Sequence, residues 1–88
     1  MLRLRHILVR HRYEAEDLLR LLAQGRPFAE LATKHSQCPS ASQGGDLGAM
    51  KEGRLDPDFL EAAQGLKTGE ISSAPVRTRF GYHLIQRY

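Results

Sequence analysis

An 88-residue chain has room for one compact domain and not for two. With 41% apolar and 26% charged residues it reads as an ordinary globular chain, which excludes intrinsic disorder. The net charge is +3, but the 13 lysines and arginines are scattered without a run of like charge, which argues against a nucleic-acid-binding tail.

The one local concentration of charge, Arg3, Arg5, Arg10 and Arg12, reads as a solvated strand edge and loop. Cys38 is the single cysteine, so no internal disulfide forms, and a free thiol suits a reducing compartment. The opening residues lack the apolar segment of a secretory signal, and no apolar run approaches membrane-spanning length. The expectation is a soluble cytoplasmic monomer with no membrane contact.

Residues 4–9 predict a strand ending in Ile7, Leu8 and Val9. After a short basic connection, Ala15, Leu18, Leu19 and Leu22 recur at helical spacing. Acidic Glu14, Glu16 and Asp17 precede Arg20, which suits the helix dipole, and Gly25 is the stop. Pro27 fits the first turn of a second helix, whose inner face carries Phe28, Leu31, Ala32 and His35. From Cys38 to Gly48 the texture is that of a loop, with Gly44 and Gly45 predicting a tight turn into a short strand at Asp46. Asp56 followed by Pro57 predicts a third helix start, with Phe59, Leu60, Ala63 and Leu66 inward. Pro75 breaks a strand running from Ile71 to Arg77, and Arg79, Phe80 and Gly81 make a hairpin turn. The last strand places His83 and Ile85 on one side and Tyr82, Leu84 and Gln86 on the other. The order β-α-α-(loop/α)-β-α-β-β predicts an α+β fold, a four-stranded, mostly antiparallel sheet flanked by helices in a single domain over 1–88.

Four groups of residues in this order carry a family resemblance. His6-Ile7-Leu8-Val9, Cys38-Pro39-Ser40, Gly44-Gly45-Asp46-Leu47-Gly48 and Phe80-Gly81-Tyr82-His83-Leu84-Ile85 look like motifs of the parvulin family of peptidyl-prolyl cis-trans isomerases. Phe28-Ala29-Glu30-Leu31-Ala32 and Leu66-Lys67-Thr68-Gly69-Glu70 add weaker matches, so the similarity spans nearly the whole chain. The resemblance is to the small stand-alone bacterial parvulins and implies their FKBP-like superfold. It also implies rotation about X-Pro bonds in proline-containing peptides and in unfolded or nascent proteins.

That chemistry breaks no bond and requires no cofactor or metal. Twisting an amide costs its resonance, about 18–20 kcal/mol. A ~10⁴-fold acceleration asks for about 5–6 kcal/mol. A dry pocket and selective binding of the twisted amide can supply it.

The resemblance places the proline ring on Leu47, Met50, Leu55 and Phe59, with Phe80 nearby. Spaced by four, Leu55 and Phe59 share a face if both lie on a helical turn. Read without the family, the same five residues are core. The resemblance also marks His6, Cys38, Thr78 and His83 as catalytic positions, the two histidines sharing hydrogen bonds across neighbouring strands and Thr78 joining them. The alternative is a buried polar network that stabilises the sheet. Cys38 can be a thiolate nucleophile or a polar group tuning the field around the amide. The second is preferred, since isomerisation needs no covalent intermediate.

Leu55 stands where many parvulins have methionine, Met50 where some have phenylalanine, and Asp56 where some phosphate-directed members have glutamine. The basic loop of those members is short here, so a phosphoserine-proline reader is not expected, and Phe80 suggests a broad or apolar preference before proline. Four rival readings remain: a peptide-binding module without turnover, a nonspecific nucleic-acid binder, a cysteine hydrolase using Cys38 with a histidine but without a recognisable oxyanion motif, and a metal site built on His35 and Cys38. The last lacks a second ligand pair.

Overall fold

The computed structural model describes residues 1–88. In chain order it comprises β1 (Leu2–Val9), α1 (Arg12–Ala23), α2 (Phe28–His35), a 3₁₀ turn (Pro39–Gln43), β2 (Asp46–Met50), a second 3₁₀ turn (Glu52–Arg54), α3 (Pro57–Gln64), β3 (Val76–Thr78) and β4 (Gly81–Arg87). The sheet order is β2-β1-β4-β3, and every neighbouring pair is antiparallel. The first and last strands therefore pair at the centre, with Leu4 opposite Arg87 and Val9 opposite Tyr82.

The sheet has two apolar faces, so its central strands are buried on both. Ile7, Val9 and Leu84 pack under α1 and α2 against Ala15, Leu18, Phe28, Leu31 and Ala32. Leu2, Leu4 and Ile85 pack on the opposite face against Phe59 and Ala63 of α3. Each such Leu, Ile or Phe contributes about 1.5–3 kcal/mol by leaving water. The predicted alternation in β4 holds, since Leu84 and Ile85 are both buried but belong to opposite layers.

Several local expectations are corrected. Pro27 is the N-cap of α2, not its first helical residue: with ψ of 133° it is extended, and the helix begins at Phe28. His35 closes α2 exposed, because the helix ends before its side chain reaches the core. The glycine-rich stretch is not all loop, since Pro39 starts a 3₁₀ turn that Gly44 closes with φ of 68°. The strand expected from Ile71 is reduced to one bridge, Ile71 to Gln86, before β3.

Candidate active site

His6 on β1 lies directly opposite Ile85, and His83 on β4 directly opposite Leu8. The histidines are thus diagonal neighbours on one face, within reach of long side chains. Their Nδ1 atoms are 3.1 Å apart, and their rings stack at 5.3 Å with planes 17° apart. Thr78 Oγ1 lies 2.7 Å from His83 Nε2 and accepts the Phe80 N–H at 3.2 Å. All three side chains are buried.

A 3.1 Å contact between two ring nitrogens requires a single proton between them. Two proton arrangements satisfy the chain. In one, Thr78 donates to His83 Nε2 and His83 donates through Nδ1 to His6. In the other, His6 donates through Nδ1 to His83, which donates through Nε2 to Thr78. Either way His6 Nε2 is buried and unpartnered. Burial, and secondarily the neighbouring His83, lower the His6 pKa to about 4. Burial also lowers His83 to about 4, against the opposing pull of the Asp56 carboxylate. The pair is neutral at physiological pH.

Beside this pair lies an open depression of about 350 Å³. Leu47, Leu55 and Phe59 give it an apolar lining, His6 and His83 contribute polar ring edges, and Cys38 and Phe80 also line it. The Phe59 ring stands edge-on to both imidazoles, with centroids at 5.6 Å from His6 and 5.1 Å from His83. The helix start fixes that ring: Asp56 Oδ1 accepts the Asp58 N–H at 3.1 Å, and Pro57 follows the cap. Leu55 reaches the pocket by another route than the one expected. It precedes the cap in extended conformation, ψ of 147°, so it shares the pocket with Phe59 without sharing a helical face.

Met50 does not line the depression. It pairs with Leu2, four residues along β1 from His6, and a strand advances about 3.3 Å per residue, which puts it beyond the pocket. Leu8, Gln37, Pro39 and Arg54 line the depression without having been anticipated, as does Asp56, marked in the sequence only as a departure from the family and a helix cap. Of these, Asp56 carried a signal as a helix cap. Pro39 lay within the Cys38-Pro39-Ser40 motif, and Gln37 had only its adjacency to Cys38.

Cys38 is held by stitching to the outer edge of β1 beyond the β2 ladder. Ser36 Oγ accepts the Leu8 N–H at 3.0 Å and the Cys38 N–H at 3.4 Å, and Gln37 N–H donates to Leu8 O at 2.8 Å. Gly45 O accepts the His6 N–H at 2.9 Å. Only glycine fits there: a Cβ at Gly45 would sit 2.4 Å from His6 O, and the residue has φ of 81°. The loop that carries Cys38 is thereby registered against the histidine it faces.

Arg54 and Asp56 bring one charge of each sign to the depression. Asp56 pairs with Arg79 at 3.9 Å, and the Arg79 guanidinium lies 4.9 Å from the centroid of the Phe80 ring. Arg12 pairs with Glu16 at 3.9 Å. No three His, Cys, Asp or Glu side chains are grouped to hold a metal ion.

Residues 6–88 match the Rotamase family, described as a PPIC-type PPIASE domain. Foldase protein PrsA of Bacillus subtilis (strain 168) is 47% identical over 87 residues, covering 98% of this chain and 30% of that protein. The crystal structure of peptidylprolyl isomerase PrsA from Bacillus anthracis matches with a TM-score of 0.95 at 41% identity, covering 98% of this chain and 40% of that one. Pin from the archaeon Cenarcheaum symbiosum matches with a TM-score of 0.86 at 38% identity, covering 99% of this chain and 90% of that one. The chain spans about 30% of the length of the curated foldases it matches. With the family's description met over nearly all of its length, the chain belongs to the PPIC-type peptidyl-prolyl isomerases, the parvulins.

Proposed function

We propose that the depression seats the proline ring of a substrate on Leu47, Leu55 and Phe59 while the preceding amide twists beside His6, Cys38 and His83, with Thr78, which does not line the depression, acting through its hydrogen bond to His83. The observation that carries this reading is the apolar depression set against a neutral, mutually hydrogen-bonded histidine pair. Apolar walls hold a pyrrolidine ring without competing hydrogen bonds. The twisted amide loses resonance and gains a more basic nitrogen, so fixed dipoles around it favour that state over the planar one. Cys38 acts as one of those polar groups and not as a nucleophile.

Substrate choice follows from the rim. Phe80 lines the depression while 59% exposed, and supports a broad or apolar preference before proline. The loop after β1 is short and carries only Arg10 and Arg12 as basic residues, which supports a reading without phosphoserine specificity, although Arg54 lines the depression itself. The substrates proposed are proline-containing segments of unfolded or nascent proteins. The foldase names of the relatives support that class. One chain supplies every residue of the site, so a monomer suffices.

Exchange NMR on short X-Pro peptides tests this, with alanine, leucine, glutamate or phosphoserine before proline. Accelerated exchange on the apolar peptides is expected, strongly reduced by Phe59→Ala and largely retained by Cys38→Ser. Acceleration confined to phosphoserine-proline overturns the specificity, and loss of all activity in folded Cys38→Ser overturns the role given to the thiol.

A further inference from the structure

On the sheet face opposite the pocket, the ring of Tyr88 bridges strands. Its backbone N–H donates to Arg3 O at 2.9 Å, extending the β1–β4 ladder. Its hydroxyl donates to Asp46 Oδ1 at the start of β2, and the Arg5 guanidinium lies over its ring at 4.1 Å. The same Asp46 oxygen accepts the Gly48 N–H at 2.8 Å, closing a turn around Leu47. That turn coincides with an irregularity in the ladder: Leu4 pairs with Gly48, but the next residue, Arg5, pairs with Asp46. Leu47 is the residue left over, and it lines the pocket. Gly48 has φ of 68°, the left-handed conformation that a bulge of this kind uses. The phenol and the Gly48 N–H, in that order, hold the Asp46 carboxyl below its usual range.

We propose that Tyr88 is a positioning residue for the proline pocket, acting through Asp46 to hold the bulge that presents Leu47. The inference rests on the reading that Leu47 contacts the substrate's proline. A bulge adds an unpaired residue whose aim is set by local bonds and not by the ladder. Here both local bonds converge on one carboxylate oxygen. The clasp ties the last residue of the β4 ladder to the first residue of β2 across the intervening β1. No residue in the clasp lines the pocket.

Tyr88→Phe removes the hydroxyl and keeps the ring under Arg5. The variant is expected to raise KM for an Ala-Pro peptide by about fivefold, the scale of one lost hydrogen bond, with kcat within about twofold. The Leu47 methyl resonances should shift or broaden, with those of Leu2 unchanged. Asp46→Asn alone keeps the acceptor oxygen and should retain near-native KM, while the rise in KM from Asp46→Ala should exceed that from Tyr88→Phe. In a Leu47→Ala background the added Tyr88→Phe change should leave KM where Leu47→Ala puts it. Unmoved Leu47 methyls with unchanged KM overturn the proposal. So does a variant in which kcat and KM worsen together with a lower melting temperature, since that marks a structural tie only. Shifted Leu47 methyls with unchanged peptide affinity uphold the coupling and overturn the proline contact of Leu47 instead.

Discussion

At the scale of single residues, the histidine pair ties stability to pH. Both folded pKa values lie near 4, below the ordinary 6.5. As pH falls below 6.5, the unfolded chain takes up protons that the folded one refuses. Stability is therefore complete above that value and declines toward pH 4, where the folded pair protonates as well. The slope is up to about 1.4 kcal/mol per pH unit for each histidine. Urea unfolding at pH 7.5, 6 and 5 should show this loss before the carboxylates begin to titrate, and an unchanged midpoint at pH 5 would rule out the neutral pair. The residues of this network, His6, Thr78 and His83, were legible in the sequence because the family motifs mark them. The orphaned Nε2 of His6 was not, since it depends on what packs over the ring. Met50 was assigned to the pocket by the resemblance alone, and its place opposite Leu2 at the far end of β2 sets it apart from the depression.

Elements show the same division between local and distant causes. The start of α3 was fully legible: Asp56 caps and Pro57 follows, each for a reason internal to the segment. Asp56→Ala should cost about 1 kcal/mol through the lost cap. In a domain of this size that lowers the melting temperature by roughly 4–8 °C. The His83 pKa should fall further in the same variant, because Asp56 is the charge that holds it up. Differential scanning calorimetry reads the first effect and a histidine NMR titration the second. A melting temperature within one degree of wild type, by contrast, would deny the cap its role. The two 3₁₀ turns and the extended entry of Leu55 were not legible. They serve the closure of the pocket, and no periodicity encodes them.

For the whole molecule, the class of fold and the order of elements could be read from the chain, and so could the adjacency of β1 and β4, because the resemblance sets His6 and His83 on neighbouring strands; the outer places of β2 and β3 could not. Pairing of β1 with β4 joins segments from opposite ends, and the shared burial of Ile7, Leu84 and Ile85 between two helical layers accounts for their central place. The cytoplasmic expectation has no such support and rests on the cysteine count and the opening residues alone. The central pairing predicts which part of the domain opens last. Amides of His6, Ile7, Leu84 and Ile85 should exchange with solvent only on global unfolding, while those of 52–54, which lie outside the sheet, should exchange by local opening. Native-state hydrogen exchange under increasing denaturant distinguishes the two groups, and fast exchange at Ile7 would contradict a central β1.

The antiparallel pairing of β1 and β4 also sets where the chain enters and leaves. Arg3 and Tyr88 are hydrogen-bonded neighbours at one end of the sheet. A domain whose two ends meet needs only a narrow attachment point. It can be borne on the loop of a larger protein without threading through it, and that host need not change shape to hold it. The pocket is independent of that junction, because its lining comes from other residues than Arg3 and Tyr88. The two strands that meet there can thus be continued into further chain without crossing the pocket.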